Sequence, residues 1–463
     1  MIYQIESHIA QKLIDFFDKF DFIDKVVVFG SRARHDCSPK SDIDLCIYSL
    51  EMTDIEFSKL KFELDELPIL YKIDIVHFEK VNRELQDNVE RDGKLLFKKI
   101  LLFEEFFENI PAKKFQLTKR EYLEKAQYPI IDQGQKFITA YSNNEDKLFK
   151  INKPVIIFGD HTRAIKYIDF DFIIGADGTK VLLTKKSIDT KFAYYNLLNT
   201  NIESLGYSRH FKLLKEKSFY LPTLTKQKKI ANTLDKASEL ITLRKESIKK
   251  LDELSKSIFI DMFGDPVSNP KKWDKDNLKN LVVESCSLSY GVVQPGENFK
   301  NGIPTVRPVD LENNLKDISK LKHINPNISN KYKKTLLHGD EVLICVRGTT
   351  GIINYSNDNL KNANVTRGII PIRFNDEYNK YFGFHVLLSK SMQQVIQEKT
   401  YGATLKQINV KDIRELTFIK PQKTLQNKFA TIIEKIEEQK TLYEEELKKL
   451  QENFDALLQR SFS

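Results

Sequence analysis

At 463 residues the chain exceeds the size at which a single hydrophobic core keeps growing, so several domains are expected. Hydrophobic residues at 41% and charged residues at 30% exclude a disordered or fibrous chain, and no run of about 18 apolar residues exists to form a membrane helix. The net charge of +8 is uneven: residues 1–98 carry 14 Lys+Arg against 20 Asp+Glu, a net −6, which leaves +14 on the remainder. An acidic head on a basic body predicts that only the body meets a polyanion. Without an apolar leader the chain is expected in the cytoplasm, and Cys37, Cys46, Cys286 and Cys345, which form no C-x-x-C pair, are expected to be buried, reduced thiols.

The head reads as a small α/β domain. Helical periodicity covers residues 4–20 and 54–67, and strands are predicted at 25–29, 41–48 and 71–76. Asp42 and Asp44 are two apart on a strand and so project from one face, which Asp74 could reach from a neighbouring strand. Three convergent carboxylates suit magnesium, a hard cation that prefers oxygen ligands, and paired ions can activate an attacking oxygen and stabilise a leaving pyrophosphate. Gly30-Ser31 breaks the first strand into a turn whose backbone N–H groups could cradle phosphates. An isolated Asp-x-Asp is more often a solvated strand edge. Here Gly30-Ser31-Arg32-Ala33-Arg34, Ser41-Asp42-Ile43-Asp44-Leu45 and Lys72-Ile73-Asp74 together resemble the minimal nucleotidyltransferase family over residues 1–98. The resemblance implies magnesium on Asp42, Asp44 and Asp74 and an NTP, expected to be ATP, on Gly30, Ser31 and Arg34. It also implies a toxin-like helical partner that accepts the nucleotide. His35 departs from the pattern, because a glycine commonly follows the Arg-Ala-Arg run.

Residues 101–222 and 270–421 mix short apolar runs, such as 155–158 and 342–346, with turn signals at Gly159-Asp160, Asp177-Gly178, Gly339-Asp340 and Arg347-Gly348. Asn143-Asn144 and Asn313-Asn314 suit exposed loops. Each segment ends in an extended piece that leads through Pro222 or Pro421 into a heptad stretch, 223–263 or 422–463. The two stretches keep step at a constant offset of 199 residues, with Gln227 matching Gln426, Ala231 matching Ala430 and Leu251 matching Leu450. The second seam runs Phe429, Ile433, Ile436, Tyr443, Leu447, Leu450, Phe454 and Leu457, interrupted by Lys440. The first runs Ile230, Leu234, Ala237, Ile241, Ile248, Leu251 and Ile258, weakened by Arg244 and Ser255. Two such helices predict an antiparallel coiled coil within one chain. Their span from Ile230 to Ile258 is about 40 Å at ~1.5 Å per residue, or about 12 base pairs of duplex.

Gly206-Tyr207-Ser208-Arg209-His210 before Pro222, and Gly402-Ala403-Thr404-Leu405-Lys406-Gln407-Ile408 before Pro421, resemble the ends of target-recognition domains in type I restriction-modification specificity subunits. Phe158-Gly159-Asp160-His161-Thr162-Arg163 and Val346-Arg347-Gly348-Thr349-Thr350-Gly351 add to that likeness, which covers residues 101–463. The expected fold is therefore α/β multidomain: a nucleotidyltransferase head, then two mixed α/β target-recognition domains separated by an antiparallel two-helix coiled coil. The resemblance implies that each domain reads half of a split double-stranded DNA target, that two methyltransferase subunits dock on the helices, and that restriction or translocase subunits are further partners. Basic, amide and aromatic groups at predicted loops are the candidate DNA contacts: Lys136, His161, Arg163 and Lys166 in the first domain, and Tyr290, Arg307, Arg347, Arg367 and Lys406 in the second. No Asn-Pro-Pro-Tyr, no glycine-rich S-adenosylmethionine loop and no Walker A sequence is present, so the specificity part is expected to need no cofactor and to rely on other subunits for methylation and translocation. The competing reading is an enzyme, a magnesium-dependent nucleotidyltransferase that its DNA-binding arms merely target.

Overall fold

The computed structural model describes residues 3–175, 177–285, 288–312, 315, 318–403 and 405–462. Cys286, Asn313, Asn314 and Thr404 lie outside the described residues. The chain forms two compact units, Met1–Ile241 with Lys449–Ser463, and Thr242–Lys448.

The head occupies the start of the first unit. Its elements are α1 (Ser7–Phe17), β1 (Lys25–Phe29), α2 (Gly30–Arg34), β2 (Ile43–Tyr48), α3 (Asp54–Asp65), β3 (Ile73–His77), α4 (Arg83–Asp92) and β4 (Lys94–Lys98). One sheet results, in the order β3-β2-β1-β4, with β2 parallel to β3 and antiparallel to β1. The Val26-Val27-Val28 run makes β1 an interior strand, and α1 buries Ile9, Leu13, Phe16 and Phe17 in the core it shares with that sheet. Each such side chain contributes about 1.5–3 kcal/mol on burial. A capping box starts α3: Thr53 Oγ1 accepts from the Glu56 N–H, and Glu56 Oε2 accepts from the Thr53 N–H at 2.7 Å.

The first arm follows in the same unit. Val155–Gly159 lies between Ile165–Ile168 and Thr179–Thr184, with Phe107–Ile110 on the outer edge. In a second sheet Tyr128–Ile131 runs parallel to Phe172–Ile174 and antiparallel to Ala140–Ser142. The second arm, inside the second unit, repeats the plan. Val342–Cys345 lies between Ile353–Tyr355 and Ile369–Ile372, while Ile303–Val306 runs parallel to Asn364–Val365 and antiparallel to Lys322–Ile324. The central strands are the apolar runs of the sequence, buried along their whole length because sheet neighbours and packed layers enclose them. Closing pairs repeat too: Ile100–Leu102 with Ser218–Tyr220, and Lys275–Asn277 with Thr417–Ile419.

Two 40-residue helices, Leu224–Phe263 and Lys423–Phe462, follow those closing strands. Within the second unit they run antiparallel, and the polar interruptions of the predicted seam pair with each other's helix. Lys440 Nζ donates to Asp252 at 2.6 Å, and Arg244 bonds Glu446 at 2.8 Å while its guanidinium sits 4.1 Å over the Tyr443 ring. Phe259 and Phe263 fill the buried seam beside Phe429, with Ile258 only partly buried against it. Within the first unit, Ile230 and Leu234 share a core with Phe454, Leu457 and Phe462. Among the described residues no helix is long and apolar enough to cross a membrane. Cys46 and Cys345 are buried free thiols; Cys37, against expectation, is only half-buried, because it sits on the surface loop after α2.

Candidate functional site

Sheet register assembles the carboxylates of the head. Asp44 pairs with Phe29 on one side and with Asp74 on the other, so the end of β1 and the first turns of β2 and β3 meet at one edge. Gly30 makes that approach possible. Its φ is +69°, a left-handed conformation that a Cβ disfavours, and a Cβ there would overlap Asp44 Oδ2. Lys72 Nζ lies 2.7 Å from Asp74 Oδ2 and 3.6 Å from Asp42 Oδ2. Burial, then the charges of Asp74 and Asp42, push the Asp44 carboxyl above the usual carboxylate range. Among the described residues no three His, Cys, Asp or Glu side chains stand as a ready-made metal cage, and Lys72 bridges two of these carboxylates. The donor set is nonetheless all oxygen, and Asp44 is a carboxylate whose charge its neighbours disfavour; both properties fit a hard divalent cation.

Arg32, rather than Arg34, organises the loop that carries Asp42. Arg32 is buried, and its guanidinium donates to the carbonyls of Ser41, Asp42 and Gln4 while lying 4.3 Å over the Tyr71 ring. Arg34, the sequence candidate for nucleotide contact, is exposed and paired with Asp36 at 3.1 Å. In the sequence the two arginines look equivalent; helix α2, five residues long, turns one inward and the other out. His35 ends that helix with φ 65°, the left-handed position that glycine fills most easily, so the glycine common there has a physical reason and His35 holds that conformation without it.

In the first arm the loops after Ile131, after Gly159 and around 202–210 converge. The His161 N–H donates to Gln133 Oε1, and its ring stacks on Tyr207 with centroids 5.1 Å apart. Tyr207 is 93% exposed, and Arg163 and Lys136, on the neighbouring loops, are exposed as well. Arg163 takes a left-handed backbone (φ 59°) and donates to the Ile202 carbonyl at 2.8 Å. The buried His210 bonds the Asp160 carbonyl through Nδ1 at 3.0 Å and accepts from the Leu205 N–H through Nε2, holding the Tyr207 loop to the strand end. In the sequence Tyr207 is marked only by its glycine neighbour, Gly206, which predicts a turn.

Lys166, a candidate DNA contact in the sequence, is turned inward. It is buried, and its ammonium donates to the carbonyls of Asp132 and Lys136 at 2.8 and 2.5 Å. It braces the loop that displays Lys136.

The second arm brings its candidates to one strand end. Gly348 N–H donates to the Lys406 carbonyl, Arg347 bridges Gln407, and the Arg367 N–H donates to the Val292 carbonyl. The Arg367 guanidinium lies 5.9 Å from the Tyr290 ring. Arg367 and Lys406 are exposed, and Arg347 and Tyr290 are half-buried. Arg307 belongs to the same region but is engaged: Asp310 accepts from its guanidinium at 2.9 and 3.0 Å and from its backbone N–H. The loops after Gly159 and after Cys345 follow equivalent central strands, so both arms present cations at the same place in their sheets.

Comparison with known proteins gives two family matches. Residues 103–253 and 271–452 match the type I restriction modification DNA specificity domain, and residues 11–100 match the polymerase beta, nucleotidyltransferase family. The EcoBI specificity subunit of a type I restriction enzyme from Escherichia coli is 24% identical over 251 residues, 48% of this chain and 52% of that protein. A second Escherichia coli type I specificity subunit is 25% identical over 224 residues, 44% of this chain and 54% of that one. The chain thus spans about half the length of these relatives. The S subunit of a type I restriction-modification system from M. genitalium aligns over 79% of this chain and 96% of its own, at 19% identity and a TM-score of 0.47.

Proposed function

We propose, from the premise that this chain belongs to the type I restriction modification DNA specificity domain family, that it is the sequence-reading and assembly subunit of a restriction-modification enzyme. Each arm addresses one half of a split double-stranded DNA target, and methyltransferase and restriction subunits supply the chemistry on DNA. The observation that carries this reading is the duplication: two arms with the same arrangement of three strands about a central one present basic loops after equivalent central strands. Arg163, His161, Tyr207 and Lys136 serve one half-site; Arg347, Arg367, Lys406 and Tyr290 serve the other. Cations there position phosphates, and aromatic and guanidinium groups read base edges. The decisive experiment maps methylated sites genome-wide in cells with the methyltransferase subunit, with and without this chain. A split motif with a fixed gap, lost when the chain is deleted, is expected; an unchanged methylome refutes the proposal.

The head is proposed as a magnesium-dependent nucleotidyltransferase. Asp42, Asp44 and Asp74 would hold magnesium, which supplies Lewis-acid charge to the attacking oxygen and the leaving pyrophosphate. Gly30 leaves room beside Asp44 and Arg32 fixes the Asp42 loop, while Ser31, at the start of α2, would meet the phosphates. The acceptor oxygen bonds the α-phosphorus of the NTP as the bond to pyrophosphate breaks. Incorporation of label from α-labelled ATP into protein is expected to need magnesium and to vanish in Asp42→Ala with Asp44→Ala. Equal labelling by that double variant overturns the assignment. A toxin-like partner has no support beyond the initial resemblance.

A further inference from the structure

His161 follows the central strand Val155–Gly159 of the first arm, and two other loops fix it there. Gln133 anchors the backbone. Its Oε1 accepts from the His161 N–H at 3.0 Å, its carbonyl accepts from Thr162 Oγ1, and its own Nε2 donates to the Asp177 carbonyl at 2.6 Å. Gly159 permits that approach, because a Cβ there would meet the Gln133 carbonyl oxygen at 2.8 Å. The ring is held separately. It stacks on Tyr207 at an interplanar angle of 12°, and its Nδ1 lies 3.2 Å from the Ser208 carbonyl oxygen. His210 in turn ties the loop that carries Tyr207 and Ser208 to the strand end. A side chain ordered in this way before binding loses little further freedom when a ligand arrives.

The Ser208 contact decides which ring nitrogen carries the proton. A carbonyl oxygen only accepts, so Nδ1 bears the N–H, and in the neutral imidazole Nε2 is then an acceptor. Among the described residues Nε2 has no hydrogen-bond partner, and it is not one of the buried unpaired atoms, so it is open to solvent. An acceptor pairs only with a donor. That excludes phosphate oxygens, guanine O6 and N7, and thymine O4, which are acceptors themselves. What remains on DNA is the exocyclic amino group: adenine N6 and cytosine N4 in the major groove, guanine N2 in the minor groove. The exposed cations Arg163, Arg367 and Lys406 carry donors only and address the opposite set.

We infer that His161 is a specificity-determining residue, whose Nε2 accepts from the exocyclic amino group of one base in the half-site served by the first arm. The inference rests on the DNA-reading role proposed for that arm and names the chemistry it recognises. Tyr207 backs the ring and Ser208 holds its far edge, so the acceptor keeps its direction as the duplex approaches.

The test is fluorescence-anisotropy titration of the full chain, with its methyltransferase subunit, against duplexes carrying the split motif that the methylation map yields. Amino groups are deleted one position at a time, with purine for adenine, 2-pyrimidinone for cytosine and hypoxanthine for guanine. In one half-site, one deletion is expected to weaken the wild-type chain about tenfold, within the usual cost of a mismatched pair. His161→Phe, which keeps a ring against Tyr207 and removes both nitrogens, should bind that duplex and the unaltered one alike, with every other position read as before. His161→Gln, which returns an acceptor, should recover part of the discrimination, and it carries the test if the phenylalanine variant does not fold. Variants that respond to every deletion as the wild type does overturn the inference and leave the split motif, and the function proposed above, intact. Even weakening of all duplexes by His161→Phe, with a shallower salt dependence, also overturns it, because the ring would then touch phosphate. Absence of any split motif instead removes the DNA-reading role itself, and this inference with it.

Discussion

Gln426 offers a quantitative test of the duplicated architecture. Its side chain is fully buried; Oε1 accepts from the Asn379 N–H at 2.8 Å, and Nε2 donates to the Pro421 carbonyl at 2.8 Å. Asn379 is the N-cap of the helix Lys380–Leu388, so one amide ties the root of the long helix to the start of an arm helix. Gln426→Met keeps the length and packing of the side chain but leaves a buried N–H and a buried carbonyl without partners. At about 1–3 kcal/mol for each of the two unsatisfied groups, the second unit should lose about 2–6 kcal/mol. The chain's single tryptophan reports on that unit, because Trp273 Nε1 donates to the Phe263 carbonyl at 2.9 Å beside the same core. Urea unfolding followed by tryptophan fluorescence should therefore show a midpoint shifted to markedly lower denaturant. Gln227 makes the same pair of bonds in the first unit, to the Asp189 N–H and the Pro222 carbonyl. Gln227→Met should destabilise the first unit and leave the Trp273 signal close to wild type. A Gln426→Met protein within about 0.5 kcal/mol of wild type would refute the reasoning, since that is the scatter of ordinary surface changes.

Five further outcomes rest on particular contacts. Asp44 has a raised carboxyl pKa, so the native state holds its proton more tightly than the unfolded chain. Native stability then falls as pH rises from the ordinary carboxylate value through the raised one, and Asp44→Asn should raise the melting temperature at pH 7 with little effect at pH 3 while abolishing label transfer. His35→Gly should stabilise the head by about 1 kcal/mol, read from thermal unfolding, because a left-handed backbone costs a residue with a Cβ about that much. Arg347→Ala and Arg367→Ala should each weaken DNA binding and lower the slope of log affinity against log salt by about 1. Lys166→Ala should instead lower the thermal stability of the first arm and leave that slope alone, because its ammonium is spent on backbone carbonyls. Finally, Lys440→Glu adds a carboxylate beside Asp252, Glu437 and Glu444 and should destabilise the second unit; adding Asp252→Lys should recover part of the loss, with a coupling of about 0.5–1 kcal/mol in a double-mutant cycle.

Much of this protein is written locally. The 199-residue offset, the apolar runs that became central strands, and the Asp42, Asp44 and Asp74 spacing all express periods of two or 3.6 residues and short turns, which neighbouring residues settle among themselves. Hence the head, the two arms and the two long helices were legible, and so was the edge at which the carboxylates meet. What remained undecided was which polar groups stay free. Arg32 and Arg34 differ by two positions, yet one is buried against the Ser41 and Asp42 carbonyls and the other pairs with Asp36 in solvent. Lys166 and Arg367 are both cations near strand ends, but only the first finds two carbonyls from a distant loop. Lys440 and Arg244 look like flaws in a heptad until the opposite helix supplies Asp252 and Glu446. Asp24 gains its meaning from Thr223, 199 residues away. Periodicity is local and additive, so the chain states it directly; burial and pairing belong to segments far apart in sequence, so only the folded chain could assign them.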